Sequence, residues 1–177
     1  MKETAVAVRY AKAFIAVYKK SGDLDRISSE LSVMAGLYRD SHKFRNVIQN
    51  PAVSMKVKEG ILDDVAKKAG FSEDTSSALT FLLQNGRAQI INEVAEEFEK
   101  MVFAALGRVR VEVTSADELT DSDKKAIAKK IKETTGRDAV MDTQVDPSLI
   151  GGVITKIGSN VMDGSVKNQL KALRVGV

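Results

Sequence analysis

The feature that most constrains this chain is a change of hydrophobic period at Gly107. Before it, apolar residues recur every three to four positions in stretches separated by turn signals. After it, Arg108-Val109-Arg110-Val111-Glu112-Val113 alternates strictly. The first period lines apolar side chains along one face of a helix, and the second puts three valines on one face of a strand. The two halves need different cores. The expectation is a mixed fold, a helical domain over residues 1–106 followed by a small α+β domain over residues 107–177.

In the first half, helices are expected near Glu3–Ser21, Leu24–Asp40, His42–Gln49, Met55–Ala69, Glu73–Asn85 and Ala88–Leu106. The breaks at Ser21-Gly22-Asp23, Asn50-Pro51, Gly70 and Asn85-Gly86 are stop or turn signals. Such short connections favour antiparallel neighbours, hence a six-helix bundle. In the second half a helix runs from Thr120 to Thr135 and ends at Gly136, and Ala139 to Val145 is the next strand. A glycine-punctuated hairpin follows: Val153 to Ile157 alternates, Gly158-Ser159-Asn160 turns, and Val161-Met162 returns. Gly151 and Gly152 shape a bulge ahead of it, and Asp163-Gly164-Ser165 stops the strand. Ser165 or Asp163 is placed to cap a helix running towards Arg174. The order β, α, β, β, β, α gives one sheet with helices on one face.

Composition excludes several classes of function. Hydrophobic residues at 44% and charged residues at 29% describe an ordinary globular protein. The absence of cysteine removes disulfide frameworks and thiolate chemistry, which fits the cytosol. Arg9 and Lys12 interrupt what would be a signal peptide's apolar core, and no run approaches the ~18 apolar residues of a membrane span. The expectation is a soluble, bacterial-type cytoplasmic protein.

The net charge of +3 is spread evenly. Residues 1–106 hold 15 Lys/Arg against 14 Asp/Glu, and residues 107–177 hold 12 against 10. The most basic run, Lys124-Lys125 through Lys129-Lys130 and Lys132, sits on a helix with Asp121 and Asp123 in its first turn and Ile127, Ala128 and Ile131 as its apolar strip. Acids first and bases later complement the helix dipole, so a solvated face accounts for the run. A nucleic-acid-binding module using this basic surface, with Arg108 and Arg110, stands as the alternative function.

A search for catalytic chemistry returns structural readings. The single histidine, His42, lies at a polar helix start and can build neither a metal site nor a triad alone. The glycines near 151–164 lack the lysine and hydroxyl of a phosphate loop. Asp163 reads as a turn or cap residue, and Asp63-Asp64 and Glu96-Glu97-Glu99 fall among solvated positions. The chain is therefore expected not to be an enzyme and to carry no catalytic residue, metal ligand or cofactor-binding residue.

Two helices have apolar surface to spare. Val6, Tyr10, Ala13, Phe14 and Val17 occupy one arc of the first helix, and Val8, Ala11, Ile15 and Tyr18 a second, together covering about 220°. On the fifth, Ala78, Leu79, Phe81, Leu82 and Leu83 extend over about 200°. The sixth is an internal control: Ile90, Ile91, Val94, Phe98, Met101, Val102 and Ala105 keep to about 120°, with Glu93, Glu96, Glu97 and Lys100 opposite. By residues alone, helices one and five are either central in the bundle or the walls of a groove for another amphipathic helix.

Three segments resemble the F-type ATP synthase delta subunit family, the bacterial counterparts of the oligomycin-sensitivity-conferring protein. They are VRYAKAFIAV (8–17), LTFLLQNGRAQIINEVAEEF (79–98) and LIGGVITKIGSNVMDGSVKNQLKAL (149–173). One departure is Val8-Arg9, where some members place a proline just before the tyrosine. The resemblance implies a non-catalytic stator subunit on the cytoplasmic face of the bacterial inner membrane, touching the membrane only through its complex. It implies a groove between helices one and five that holds the N-terminal helix of an alpha subunit of the alpha/beta catalytic head. Tyr10, Ala13, Phe14, Val17, Ala78, Leu79, Leu82 and Leu83 would line that groove. The C-terminal domain would meet peripheral stalk subunit b, with Gly151, Gly152, Gly158, Asp163, Gly164 and Ser165 as its structural turn and cap residues. No nucleic-acid partner and no cofactor are implied.

Overall fold

The structure, a computed structural model, describes residues 2–19, 23–158, 160–168 and 170. The chain divides into two compact units, residues 1–102 and 103–177, the division falling inside a helix.

Among the described residues the first unit runs α1 (Lys2–Tyr18), α2 (Leu24–Asp40), α3 (His42–Gln49), α4 (Met55–Ala69), α5 (Glu73–Gln84), a 3-10 turn (Ala88–Ile90) and α6 (Ile91–Ala105). Local chemistry sets these ends. Ser41 caps α3 by accepting the Phe44 N–H at 3.3 Å, and Ser72 caps α5 by accepting that of Thr75 at 3.3 Å. Gly70, at φ 70°, ends α4 in the left-handed conformation, and the Phe71 N–H closes back on the Ala66 carbonyl. Helix one stops at Tyr18, short of the expected Ser21, and the Ser21-Gly22 break lies outside the described residues. Helix six opens as a tight 3-10 turn because Arg87 and Ala88 leave the Gly86 turn before regular α geometry begins.

One apolar core joins these helices. It includes Ala11 and Phe14 of α1, Leu31 and Met34 of α2, Ile48, Leu62, Leu79 and Leu82, and Val94 and Phe98 of α6. A polar staple pins α2 to the start of α5. The largely buried Glu30 carboxylate accepts from the Ser72 N–H at 2.9 Å, the Ser72 hydroxyl at 2.7 Å and Arg26 Nε at 2.7 Å. Burial pushes its pKa up, but hydrogen bonds from Thr75, Ser72 and Arg26 outweigh that and hold it at about 2.

The second unit contains β1 (Arg108–Ser115), α7 (Asp121–Thr135), β2 (Asp138–Val145), β3 (Val153–Ile157) and β4 (Asn160–Asp163) in a sheet of order β2-β1-β3-β4. Strands β1 and β2 are parallel, with α7 between them in sequence, and β1–β3 and β3–β4 are antiparallel. Thr120 and Asp123 form a reciprocal capping box at the head of α7, and Gly136, at φ 69°, ends it. The alternation read from the sequence sets the register. Val109, Val111 and Val113 share a face with Ala139, Met141, Val153 and Ile157, and Ile127 and Ile131 of α7 pack on it. A helical turn begins again at Val166, and the rest of the segment expected to run to Arg174 lies outside the described residues, as does Ser159 in the hairpin turn. Among the described residues no helix is long and apolar enough to cross a membrane.

Candidate partner-helix site on the first and fifth helices

The wide apolar arcs resolve into two parts. On α1, Ala7, Ala11, Phe14 and Tyr18 are buried, and Val8 and Ile15 flank them half-buried. The second arc thus faces the core. Along the other arc, Val6 and Tyr10 are half-buried, Ala13 is exposed, and Val17 is 65% exposed. An apolar strip of α1 therefore remains at the surface.

On α5, Ala78, Leu79, Leu82 and Leu83 are almost wholly buried, as is Phe14 on α1. The reason is that α5 packs against both α2 and α4, so two neighbours consume a wide arc. What α5 leaves outside is Phe81, 49% exposed. This residue was absent from the set of groove residues. Its position at one extreme edge of the α5 arc, far from Leu83, was the signal that could have found it.

Phe81 ties the two helices into one aromatic cluster. Its ring lies edge-on to Tyr10 at 6.0 Å and to Phe14 at 6.3 Å, and Phe14 stands 6.3 Å from Tyr10 and 6.1 Å from Tyr18. Such tilted and edge-to-face pairs fix ring orientation. The buried Phe14 holds Tyr10 and Phe81 in place, and their outer faces continue the strip of Ala13 and Val17. Arg9 and Lys12 are exposed on the same helix, and Lys19 is exposed just past its end. Burial, and secondarily the Asp74 carboxylate, raise the Tyr18 hydroxyl above its ordinary pKa. The Asn85-Gly86-Arg87 segment is a turn: Gly86 has φ 65°, and the Arg87 N–H donates to the Leu82 carbonyl at 2.8 Å.

The glycine hairpin is a knot of close backbone approaches. Gly152 has φ 82°, and a Cβ there would lie 2.4 Å from the Gly164 oxygen. Gly158 turns the hairpin at φ 59°. Gly151 and Gly164 have ordinary φ, and their constraint is proximity: added Cβ atoms would meet Val166 Cγ2 at 3.2 Å and the Val153 oxygen at 3.1 Å. The choice left open between two capping residues resolves into two roles. Ser165 Oγ accepts the Asn168 N–H at 3.2 Å, and Asp163 Oδ1 accepts the Ser165 N–H at 2.9 Å, preparing the cap.

Cations of the second unit are interleaved with carboxylates. Arg110 pairs with Asp142 at 2.7 Å, Lys132 with Asp138 at 2.7 Å and Lys156 with Glu112 at 3.0 Å. His42 is exposed, its Nδ1 2.6 Å from Arg45 Nη2, and among the described residues no three His, Cys, Asp or Glu side chains gather as a metal site.

Comparison with known proteins places this geometry in a family. The profile of the ATP synthase delta (OSCP) subunit matches residues 6–175. ATP synthase subunit delta of Geotalea uraniireducens is 35% identical over 98% of this chain and 97% of its own length. That of Desulfotalea psychrophila is 33% identical over 100% of this chain and 98% of its own. In fold, the chain is similar to one in the Toxoplasma gondii mitochondrial ATP synthase hexamer, with a TM-score of 0.62 and 24% identity over 96% of each chain. With a near-complete profile match and relatives aligned from end to end, this chain belongs to the ATP synthase delta (OSCP) subunit family, a non-catalytic subunit of that complex.

Proposed function

We propose that the chain is a stator element that joins the alpha/beta catalytic head to the peripheral stalk, so that rotation is coupled to ATP synthesis. The observation that carries this reading is the apolar seam of half-buried Tyr10 and exposed Ala13, Val17 and Phe81, backed by buried Phe14. A soluble surface exposes contiguous apolar side chains where a partner covers them. The seam suits the apolar face of an amphipathic helix, and the partner is the N-terminal helix of an alpha subunit. The six helices of the first unit act as one bundle whose rigidity holds the seam, which is what resistance to rotor torque requires.

The second unit is the part that meets stalk subunit b. An apolar cleft of about 150 Å³ between α7 and the β3–β4 hairpin supports this, lined by Ile127, Ile131, Val153, Ile157 and Met162. Exposed Val161, Val166 and Leu170 add apolar surface to the same unit. Three of its cations, Arg110, Lys132 and Lys156, are matched by carboxylates, which lowers the local positive field a nucleic acid would need. The subunit works at the cytoplasmic face of the bacterial inner membrane, held there through the complex. Co-purification from a strain carrying the Val17→Lys variant tests the reading. Loss of alpha and beta with retention of b supports it, and undiminished recovery of alpha refutes the seam.

A further inference from the structure

The seam on α1 and α5 carries unlike charges at its two ends. Phe81 meets Tyr10 at 6.0 Å and Phe14 at 6.3 Å, which fixes one level of the seam. Asp74 precedes Phe81 by seven residues, two turns earlier on nearly the same face of α5 and ~10.5 Å along its axis. Burial first, and then the Asp74 carboxylate, raise the Tyr18 hydroxyl, which puts Asp74 beside the C-terminal end of α1. The two helices therefore run antiparallel, with the acid at the Val17 end of the strip. At the other end stands exposed Arg9, next to Tyr10 in sequence and one turn before Ala13, on the outer border of the strip. Lys12 lies ~100° or more round α1 from the strip, facing away from α5. Lys19, whose N–H still donates to the Ile15 carbonyl at 2.9 Å, falls on Lys12's side. Arg9 and Asp74 are thus ~12 Å apart along the seam. Neither makes a hydrogen bond or ion pair with another described residue.

Given the partner-helix reading of the seam, we propose that Arg9 and Asp74 are specificity-determining residues that set the direction in which the partner helix lies. An apolar strip alone accepts a helix either way round, whereas opposite fixed charges at its ends do not. A helix is stabilised by acids in its first turn and bases in its last. A partner of that kind puts its N-terminal acids at Arg9 and its C-terminal bases at Asp74, parallel to α1 and antiparallel to α5. The reverse placement sets like charges together at both ends.

The test takes the full chain, isotopically labelled, and two synthetic versions of the cognate alpha subunit's N-terminal helix that share one apolar face. One carries Glu in its first turn and Lys in its last, the other exchanges them, and each bears a nitroxide at its N-terminus. The acid-first peptide should broaden amides around residues 6–10 and 81–85 and spare those around 17–18 and 73–75. It should bind about five- to tenfold more tightly than its counterpart at low salt, a gap that closes as salt rises. Arg9→Glu combined with Asp74→Lys should reverse the preference, and Lys12→Glu, on the far side of α1, should leave it unchanged. If the double variant fails to fold, broadening in the parent chain still assigns the direction. Broadening at the Asp74 end by the acid-first peptide, or equal affinities of the two peptides at low salt, would overturn the charge assignment and leave the seam in place. Binding of neither peptide would overturn the seam itself, and the direction with it.

Discussion

Replacing Phe81 by alanine is the sharpest probe of the α1–α5 seam. An aromatic side chain buries ~150–250 Å² when fully covered. With Phe81 49% exposed, roughly 100 Å² of ring remains for a partner to cover, worth ~2.5 kcal/mol at 25 cal/mol per Å². Alanine retains part of that contact, so binding should weaken by ~1.5–2.5 kcal/mol, about 10- to 60-fold in Kd. The fold should survive, because the ring's losses are its edge contacts to Tyr10 and Phe14, ~0.5–1.5 kcal/mol each. Phe14→Ala is a poorer probe, since removing a buried phenylalanine costs ~3–5 kcal/mol of stability and confounds binding with unfolding. The assay is calorimetric titration of the full chain with a peptide of the cognate alpha subunit's N-terminal amphipathic helix, after a thermal melt confirms the fold. Affinity within about twofold of the parent, with the melt intact, would show that the seam is not the contact and that its exposure has another cause.

Other consequences can be measured on the same protein. Gly152→Ala should destabilise the second unit by ~2 kcal/mol or more, because a Cβ there meets both a positive φ and the Gly164 oxygen, and Gly164→Ala should cost less; urea midpoints that rank the two in reverse order contradict this. Glu30 titrates at about 2 when folded against an ordinary 4.5, so its contribution is fully present above pH 4.5 and is lost as pH falls towards 2. That contribution is up to ~3 kcal/mol, and Glu30→Gln should flatten the acid limb of a stability–pH curve; an unchanged limb counts against the staple. A fragment ending at Leu106 should melt cooperatively as a helical monomer, whereas a broad transition would mean that the helices need the sheet.

Much of the architecture was legible because each signal had one physical cause. The switch of period at Gly107, the helix stops at Gly70 and Gly136, and the cap at Asp163-Gly164-Ser165 each act within one turn of chain, so they survive reading without tertiary context. The candidate site was legible only in outline. A helical wheel measures how much of a helix is apolar, not how many neighbours consume it. It therefore could not separate Leu82, pressed into the core, from Phe81 one residue earlier at the surface. Glu93 makes the same point: it lies opposite the apolar arc of the sixth helix on a wheel, yet its Oε2 is buried without a hydrogen bond among the described residues, an outcome that depends on packing three-dimensional neighbours around α6. The staple at Glu30 joins positions 42 residues apart, beyond any local rule.

The position of β1 in its sheet gives the second unit a strong and a weak mechanical axis. The chain passes through Gly107 directly into this interior strand, which is gripped by β2 along its full length and by β3 over its second half. The parallel ladder opens with the Asp138 N–H on the Gly107 carbonyl at 3.0 Å and closes with the Asp146 N–H on the Ser115 carbonyl at 2.8 Å. Tension drawn along β1 loads the whole ladder in shear, so its hydrogen bonds must fail together. Tension applied across the hairpin instead peels β4 from β3, one bond after another. An anchor that yields in one direction and holds in the other transmits pull faithfully only when its load runs along the interior strand, so a single-molecule pulling experiment should find a high rupture force along β1 and a low one at the β4 edge.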